Sequence, residues 1–262
     1  MLGKVAVITG GAGLLGSMHA EAIAENGGIP ILFDSNYSKA KKKTKAIQAK
    51  YKVLCLPFKG DVTKEKDINN LIKFLTKKKL KVDVLINNAA VNPKLNNKNN
   101  SGEFDKFLLK KWNFELNVGL TGAFLCSKII GKKMLESKKG VIINISSDLG
   151  IISPDQRIYR DRKNFFFHKP VTYSVIKHGI IGLTKYLATY WADKGIRVNC
   201  LCPGGVYEKQ EKSFLNKICK TIPMGRMANH DEYKGAIQFL ASDASSYMNG
   251  ATMIVDGGRT IW

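Results

Sequence analysis

The 262-residue sequence predicts an α/β fold: a doubly wound parallel sheet with helices on both faces, built as one domain over 1–262. Three observations carry that prediction. Short apolar runs alternate with helical stretches from the amino terminus onward, the pattern of parallel strands joined by right-handed crossovers. A glycine-rich turn, Gly10 to Gly16, lies directly between the first apolar run and the first helical stretch. Further on, Gly140-Val-Ile-Ile-Asn-Ile-Ser-Ser147 is apolar enough to be a strand buried on both faces, and it ends in a hydroxyl pair.

Lys4-Val-Ala-Val-Ile-Thr9 reads as the first strand, and the glycine turn after it opens into a helix that runs to about Asn26, where Gly27-Gly28 terminates it. Such a turn sets backbone N–H groups and the positive end of the helix dipole against a pyrophosphate. The second strand, Ile29 to Phe33, ends in Asp34. A carboxylate about 20 residues beyond the glycines can accept hydrogen bonds from both adenine-ribose hydroxyls and repels a 2′-phosphate, so NAD is expected over NADP. Capping of the next helix is the alternative role for Asp34.

Lys39 to Lys50 is a basic helix with a solvated face, and Val53 to Phe58 is the third strand. Gly60-Asp61-Val62 follows, with Asp61 placed either to reach an adenine or to cap the helix marked by Ile68, Leu71, Ile72 and Leu75. Val82 to Ile86 is the fourth strand. It ends in Asn87-Asn88-Ala89-Ala90, small and amide side chains that suit close contact with a ligand. Residues 91 to 104 read as a polar loop. A helix then carries Phe107, Leu108 and Trp112 toward Asn117 and continues through Val118-Gly119-Leu120-Thr121-Gly122-Ala123.

Ser147 ends the strand from Gly140, where ligands of open α/β sheets bind. Tyr173 and Lys177 stand one helical turn apart, so an ammonium can favour the phenolate. Tyr37/Lys41, Tyr159/Lys163 and Tyr190/Lys194 share that spacing, and context chooses among them. After Tyr173 come Ile176, Ile180, Leu183 and Leu187 at helical spacing, then the strand Gly195-Ile-Arg-Val-Asn-Cys-Leu201 and Pro203-Gly204-Gly205. The other pairs lack this setting.

The formal charge of +21 comes from 42 basic residues, of which six are arginine. Lysines spread over every presumed helix read as compositional bias on solvated faces, and no nucleic-acid-binding motif accompanies them. Five cysteines without paired spacing suit reduced thiols, and neither a signal peptide nor a membrane span is apparent, so a soluble cytoplasmic protein is expected. His19, His168, His178 and His230 show no metal spacing, and no metal is expected.

Taken together, Thr9 to Gly16, Asp34, Asp61-Val62, Asn87 to Ala90, Asn117, Ser147, Tyr173 with Lys177, Arg197-Val198-Asn199, Pro203-Gly204 and Asp256-Gly257-Gly258 resemble the short-chain dehydrogenases/reductases in their compact single-domain branch. The resemblance implies a seven-stranded Rossmann fold, a nicotinamide cofactor, a substrate lid at about 203–229 and a homo-oligomer, commonly a tetramer. It implies that Asn117, Ser147, Tyr173 and Lys177 are catalytic. Ser147 holds the substrate oxygen, Lys177 also bonds the nicotinamide ribose, and Asn117 helps position a water. The cofactor residues it implies are Gly10, Gly13, Leu14, Leu15, Gly16, Asp34, Asp61, Val62, Asn88, Ala89, Ala90, Tyr173, Lys177, Pro203, Gly204 and Val206. Four departures stand out: glycines at 10, 13 and 16, a spacing more typical of a longer branch; Ala89-Ala90 where glycine is usual; Glu208 where a threonine often bonds the carboxamide; and an inserted loop, about 151–170, between Ser147 and Tyr173.

Oxidising an alcohol requires one group to exchange a proton near neutral pH. A free tyrosine, at about 10, is roughly three units too basic, so the site must supply about 4 kcal/mol in favour of phenolate. The inserted loop bears on the substrate. Half of the six arginines, Arg157, Arg160 and Arg162, fall within it, which suggests an anionic substrate, with pairing to Asp155 and Asp161 or to a neighbouring subunit as the alternative. The insert and the Lys169-Pro-Val-Thr-Tyr173 stretch also resemble family members of bacterial surface-sugar synthesis, a likeness that implies an acidic sugar or a sugar nucleotide. A non-catalytic cofactor-binding regulator and a basic nucleic-acid binder are the competing classes. Retention of Asn117, Ser147, Tyr173 and Lys177 together argues against the first.

Overall fold

The computed structural model describes residues 1–91, 102–159 and 167–262. Seven strands form one parallel sheet in the order β3-β2-β1-β4-β5-β6-β7: β1 Val5–Thr9, β2 Ile29–Asp34, β3 Leu56–Lys59, β4 Val82–Asn87, β5 Gly140–Ile145, β6 Ile196–Pro203 and β7 Thr252–Val255. The chain winds outward from β1 to β3, then crosses back to β4 and winds the other way. The helices are α1 Leu14–Glu25, α2 Tyr37–Tyr51, α3 Glu65–Lys77, α4 Leu109–Leu116, α5 Gly122–Glu136, α6 Val171–Tyr190, α7 Lys212–Ile218 and α8 Lys234–Ala241.

Alternation along each strand divides the core between two faces. Val7 and Leu85 pack with Leu71 of α3, Ile130 of α5 and Leu187 of α6, while Ile8 and Ile86 pack with Ile23 of α1, Ile47 of α2 and Ile237 of α8. Because both faces are covered, the central strands are mostly apolar, and their polar residues away from the carboxyl ends, Asp83, Arg197 and Asn199, are hydrogen-bonded.

Several boundaries differ from the sequence expectation by a residue or more, and three differences have a local cause. β3 begins at Leu56 rather than Val53, because Lys52 turns left-handed (φ 56°) to cap α2 and pairing with β2 starts only at Ile31↔Leu56. α4 begins at Leu109, so Phe107 and Leu108 lie before it. The helix through Asn117 is also not continuous. A π-helical segment, Asn117–Thr121, joins α4 to α5, and there a Cβ on Gly119 would lie 2.8 Å from the Ile176 side chain of α6. No helix among the described residues is long and apolar enough to cross a membrane.

Candidate active site

Parallel strands bring their carboxyl ends to one edge of the sheet, and the winding direction reverses at β1, between β2 and β4. Ligands of such sheets bind in that crevice. On its β1 side, Gly10 takes φ 61°, and a Cβ on Gly16 would stand 2.2 Å from the Gly10 carbonyl oxygen and 2.9 Å from Asn88 Nδ2. Only glycine lets α1 begin so close to the turn. The N-cap, Gly13, supplies no side-chain acceptor, so the first amides of α1 are left for an anion such as a pyrophosphate. Thr9 Oγ1 accepts from the Asn88 and Ala89 amides at 3.0 Å each, and Asn88 Nδ2 donates to the Thr9 carbonyl at 2.9 Å. The Asn88 side chain therefore builds the cradle from within.

Asp34 accepts from the amides of Ala12 (2.9 Å) and Asn36 (2.8 Å). Capping of α2 falls instead to Asn36, whose side chain accepts from Lys39 N–H at 3.0 Å. Asp61 Oδ1 accepts from the amide and the hydroxyl of Thr63 and shapes the turn before α3, whose N-cap is Lys64. Leu14 is exposed, Leu15 half-buried and Val62 buried against Gly122. Ala89 is half-buried and Ala90 exposed. At the end of β6, Gly204 donates to the Val255 carbonyl at 2.9 Å, and Val206 forms an isolated bridge with Ala228.

Ser147, Tyr173 and Lys177 meet just past β5. Ser147 is extended and caps the short turn Asp148–Gly150. Its hydroxyl donates to Asp148 Oδ1 at 2.6 Å and shares a hydrogen bond with the Tyr173 phenol. Lys177 is buried; its ammonium donates to the Ile145 carbonyl at 2.9 Å and lies 5.7 Å from the centre of the Tyr173 ring. Ser146 locks α6 in place by donating to the Lys177 carbonyl at 2.7 Å. Asn117 opens the π-helical segment with its side chain exposed, not buried among partners.

The electrostatics correct one expectation. Burial pushes the Tyr173 phenol up to about 12, with the Ser147 hydrogen bond opposing it, and burial lowers Lys177 to about 8. A tyrosine that takes the proton in alcohol oxidation needs the opposite shift, whereas one that gives it in ketone reduction does not. The protein alone holds the phenol protonated, because withdrawal from water disfavours the anion more than the surrounding groups favour it.

Two charged groups at the site escaped the sequence reading. Arg259 Nη1 donates to Asp148 Oδ2 at 2.6 Å, with both side chains buried, and so braces the carboxylate that receives the Ser147 proton. Lys169 places its ammonium 3.8 Å from the centre of the Tyr173 ring. The signal for Arg259 was an arginine directly after Asp256-Gly257-Gly258; for Lys169 there was none beyond nearness to Tyr173.

Arg157 turns away from this centre. It makes a bidentate pair with Asp155, 2.9 Å on each arm, and its side chain is 90% exposed. Arg160, Asp161, Arg162 and Lys163 lie outside the described residues. Tyr159 joins an apolar cluster with Ile158, Phe214, Ile218, Ile222 and Met227, its ring centre 5.7 Å from that of Phe214, and burial raises its pKa. The insertion thus seats α7. Glu208 pairs with His230 at 2.6 Å. A cavity of about 540 Å³ is lined by Lys4, Asp83, Gly140 and Ile196 at the amino ends of the strands, the edge opposite Ser147. Residue chemistry rather than cavity size therefore locates the site.

Residues 12–260 match the family model described as enoyl-(acyl carrier protein) reductase. An uncharacterized oxidoreductase of Thermotoga maritima is 33% identical, covering 98% of each chain. The D-threitol dehydrogenase of Mycolicibacterium smegmatis is 31% identical over 99% of this chain and 94% of its own. Among solved structures, a gluconate 5-dehydrogenase from Burkholderia cenocepacia in complex with NADP and tartrate superposes with a TM-score of 0.86 at 27% identity, covering 100% of this chain and 97% of the other.

Proposed function

The chain belongs to the short-chain dehydrogenase/reductase family of nicotinamide-dependent oxidoreductases, and from that premise we propose that it interconverts a secondary alcohol and a ketone on an anionic sugar, with NAD(H) as cofactor and Tyr173 as the proton-transfer group. The observation that carries the reading is the convergence of Ser147, Tyr173 and Lys177 at the carboxyl end of β5, beside the glycine cradle at the end of β1.

The cradle fits a dinucleotide: a Cβ at Gly16 would fill it, and the first amides of α1 carry no side-chain cap. Gly10 to Gly16 would hold the pyrophosphate, Asp34 the adenine ribose and Lys177 the nicotinamide ribose. The bound nicotinamide supplies the hydride acceptor or donor. Ser147 hydrogen-bonds the substrate oxygen and Tyr173 exchanges its proton. With its phenol up at about 12, Tyr173 is poised as a proton donor, the form that ketone reduction needs. Arg259 lowers the phenol's pKa, and Lys177, one helical turn away, adds positive charge that favours the phenolate in the reverse direction.

A cytoplasmic homo-oligomer is part of this reading. Its support is the row of exposed apolar side chains on α4, α5 and α6, namely Phe114, Phe124, Val175, Tyr186 and Tyr190.

Calorimetric titration with NAD and NADP, followed by a screen of sugars, sugar acids, sugar nucleotides and simple alcohols at the NADH absorbance, tests the proposal. NAD is expected to bind more tightly, because Asp34 faces the glycine turn and would meet a 2′-phosphate. Equal affinities would assign Asp34 to tying β2 to the turn and nothing more.

A further inference from the structure

We propose that Lys169 is a substrate-recognition residue whose ammonium binds a carboxylate on the same short carbon chain as the reacting carbinol, which makes a sugar acid the substrate class. This deepens the oxidoreductase reading above and rests on it.

Lys169 stands two residues before α6, and its ammonium is nearer the Tyr173 ring centre, at 3.8 Å, than that of Lys177, at 5.7 Å. Among the described residues it has no hydrogen-bonded or ion-paired partner. The carboxylates whose fields reach it are engaged elsewhere. Asp148 takes the Ser147 hydroxyl and Arg259, while Glu115 takes the Thr172 hydroxyl and lies 3.9 Å from Lys111. Lys177 and Arg259 repel it, and burial pulls its pKa down to about 8. A half-buried ammonium without a counter-ion among the described residues is unfavourable in the free protein and is relieved by an incoming anion.

The fold nevertheless holds this cation in place. The Gln156 side chain pairs with the Lys169 backbone on both sides, its Nε2 donating to the carbonyl at 3.2 Å and its Oε1 accepting from the amide at 2.8 Å. Gln156 belongs to the insertion, on the same short turn as Ile158 and Tyr159, which is anchored in the apolar cluster under α7. The insertion therefore has a positional consequence at the reacting centre. It sets a cation over the phenol.

Position and charge then select the ligand. The carbinol must lie at the Tyr173 oxygen, and the ammonium sits over the same ring, so the anion belongs to a carbon close to the carbinol and not to a distant diphosphate. Asp148 already neutralises Arg259 and Lys177 donates to the Ile145 carbonyl, which leaves Lys169 as the ammonium at the ring without a protein acceptor among the described residues, matching one carboxylate. The alternative is that Lys169 acts only through its contact with the Tyr173 ring. It would then matter equally for charged and neutral substrates.

Steady-state kinetics with D-gluconate and D-glucitol, and calorimetric binding of D-gluconate to the dinucleotide-loaded protein, decide between these. The wild type is expected to prefer the acid. K169Q should lose roughly tenfold or more in kcat/KM for gluconate relative to glucitol, chiefly through KM, as expected when one member of a buried charge pair is removed. Gluconate binding should weaken in parallel, K169R should restore most of the preference, and Gln156→Ala should shift selectivity in the same direction. Equal losses on acid and alditol, or gluconate binding unchanged in K169Q, would overturn the assignment. So would a wild type that binds no gluconate; oxidation of glucitol by that protein would leave the oxidoreductase reading standing, and inactivity on the whole alcohol panel would fail that reading separately.

Discussion

Two tyrosines with the same lysine spacing end in opposite surroundings. Tyr159 stacks into the apolar cluster under α7, while Tyr173 shares a hydrogen bond with Ser147 and lies between Lys169 and Lys177. Tyr173→Phe removes the exchangeable proton and little else. Turnover should fall by about 10²–10⁴-fold, the usual worth of a positioned acid or base. Cofactor affinity by calorimetry should change little. Tyr159→Phe should keep most of the rate, since its ring is held in the apolar cluster and, although its phenol feels the charges at Asp148 and Tyr173, no hydrogen bond among the described residues joins it to Ser147 or Tyr173; a dead Tyr159→Phe beside an active Tyr173→Phe would relocate the site. Ser147 depends on its neighbours in turn. The buried Asp148–Arg259 pair fixes the acceptor to which its hydroxyl points, across 111 residues of sequence.

At the level of elements, the cofactor cradle is a problem of close approach. α1 can dock on the glycine turn only while residue 16 lacks a Cβ, because the atoms it would strike include the Gly10 backbone carbonyl, which cannot swing aside as a flexible side chain can. Gly16→Ala should therefore destabilise the protein by about 1–3 kcal/mol, the range for overpacking, and weaken dinucleotide binding. Gly235→Ala is the contrasting case. It lies on α8 with nothing within 4 Å of the added Cβ, so urea titration should find it neutral or up to about 1 kcal/mol more stable, from helix propensity. Equal stability of the Gly16→Ala protein would mean that the turn is freer than the geometry allows. The insertion works by a similar logic of fit. Ile158 and Tyr159 fill the space beneath α7, and Gln156 fixes the backbone that leads into α6.

For the whole molecule, the buried cations tie stability to pH. Lys177 falls from 10.5 to about 8 on folding. Between those values the unfolded chain binds a proton that the folded chain has released, so the contribution of this group to stability rises with pH through that window. Below about 8 both states bind it, and the full cost of a buried ammonium is felt. Lys177→Met should accordingly show its greatest stability advantage over the wild type near pH 7, an advantage that shrinks by up to about 3 kcal/mol toward pH 10. Denaturation in urea at several pH values measures it; an advantage that grew with pH would have the wrong sign.

The sequence by itself determined the parallel α/β architecture, the glycine cradle and the choice of Ser147, Tyr173 and Lys177 as neighbours. Each of these is written in local patterns: apolar runs of strand length, glycines between strand and helix, and a helical period after Tyr173. Local pattern also implied Asp34 at the end of β2. It could not show that Asn36 and not Asp34 caps α2, because both precede that helix and only backbone direction chooses. The π-helical segment at Asn117 was equally hidden, since it answers to the approach of α6 against Gly119. Three arginines close in sequence suggested an anion clamp; Arg157 pairs with Asp155 at the surface, Arg160 and Arg162 lie outside the described residues, and among the described residues Lys169 is the cation set nearest the Tyr173 ring centre. Tertiary structure alone decided that, together with the pairing of Arg259 with Asp148 and the upward shift of Tyr173. Charge environment and burial at this site are sums over groups brought together from distant parts of the chain, and no local pattern encodes such a sum.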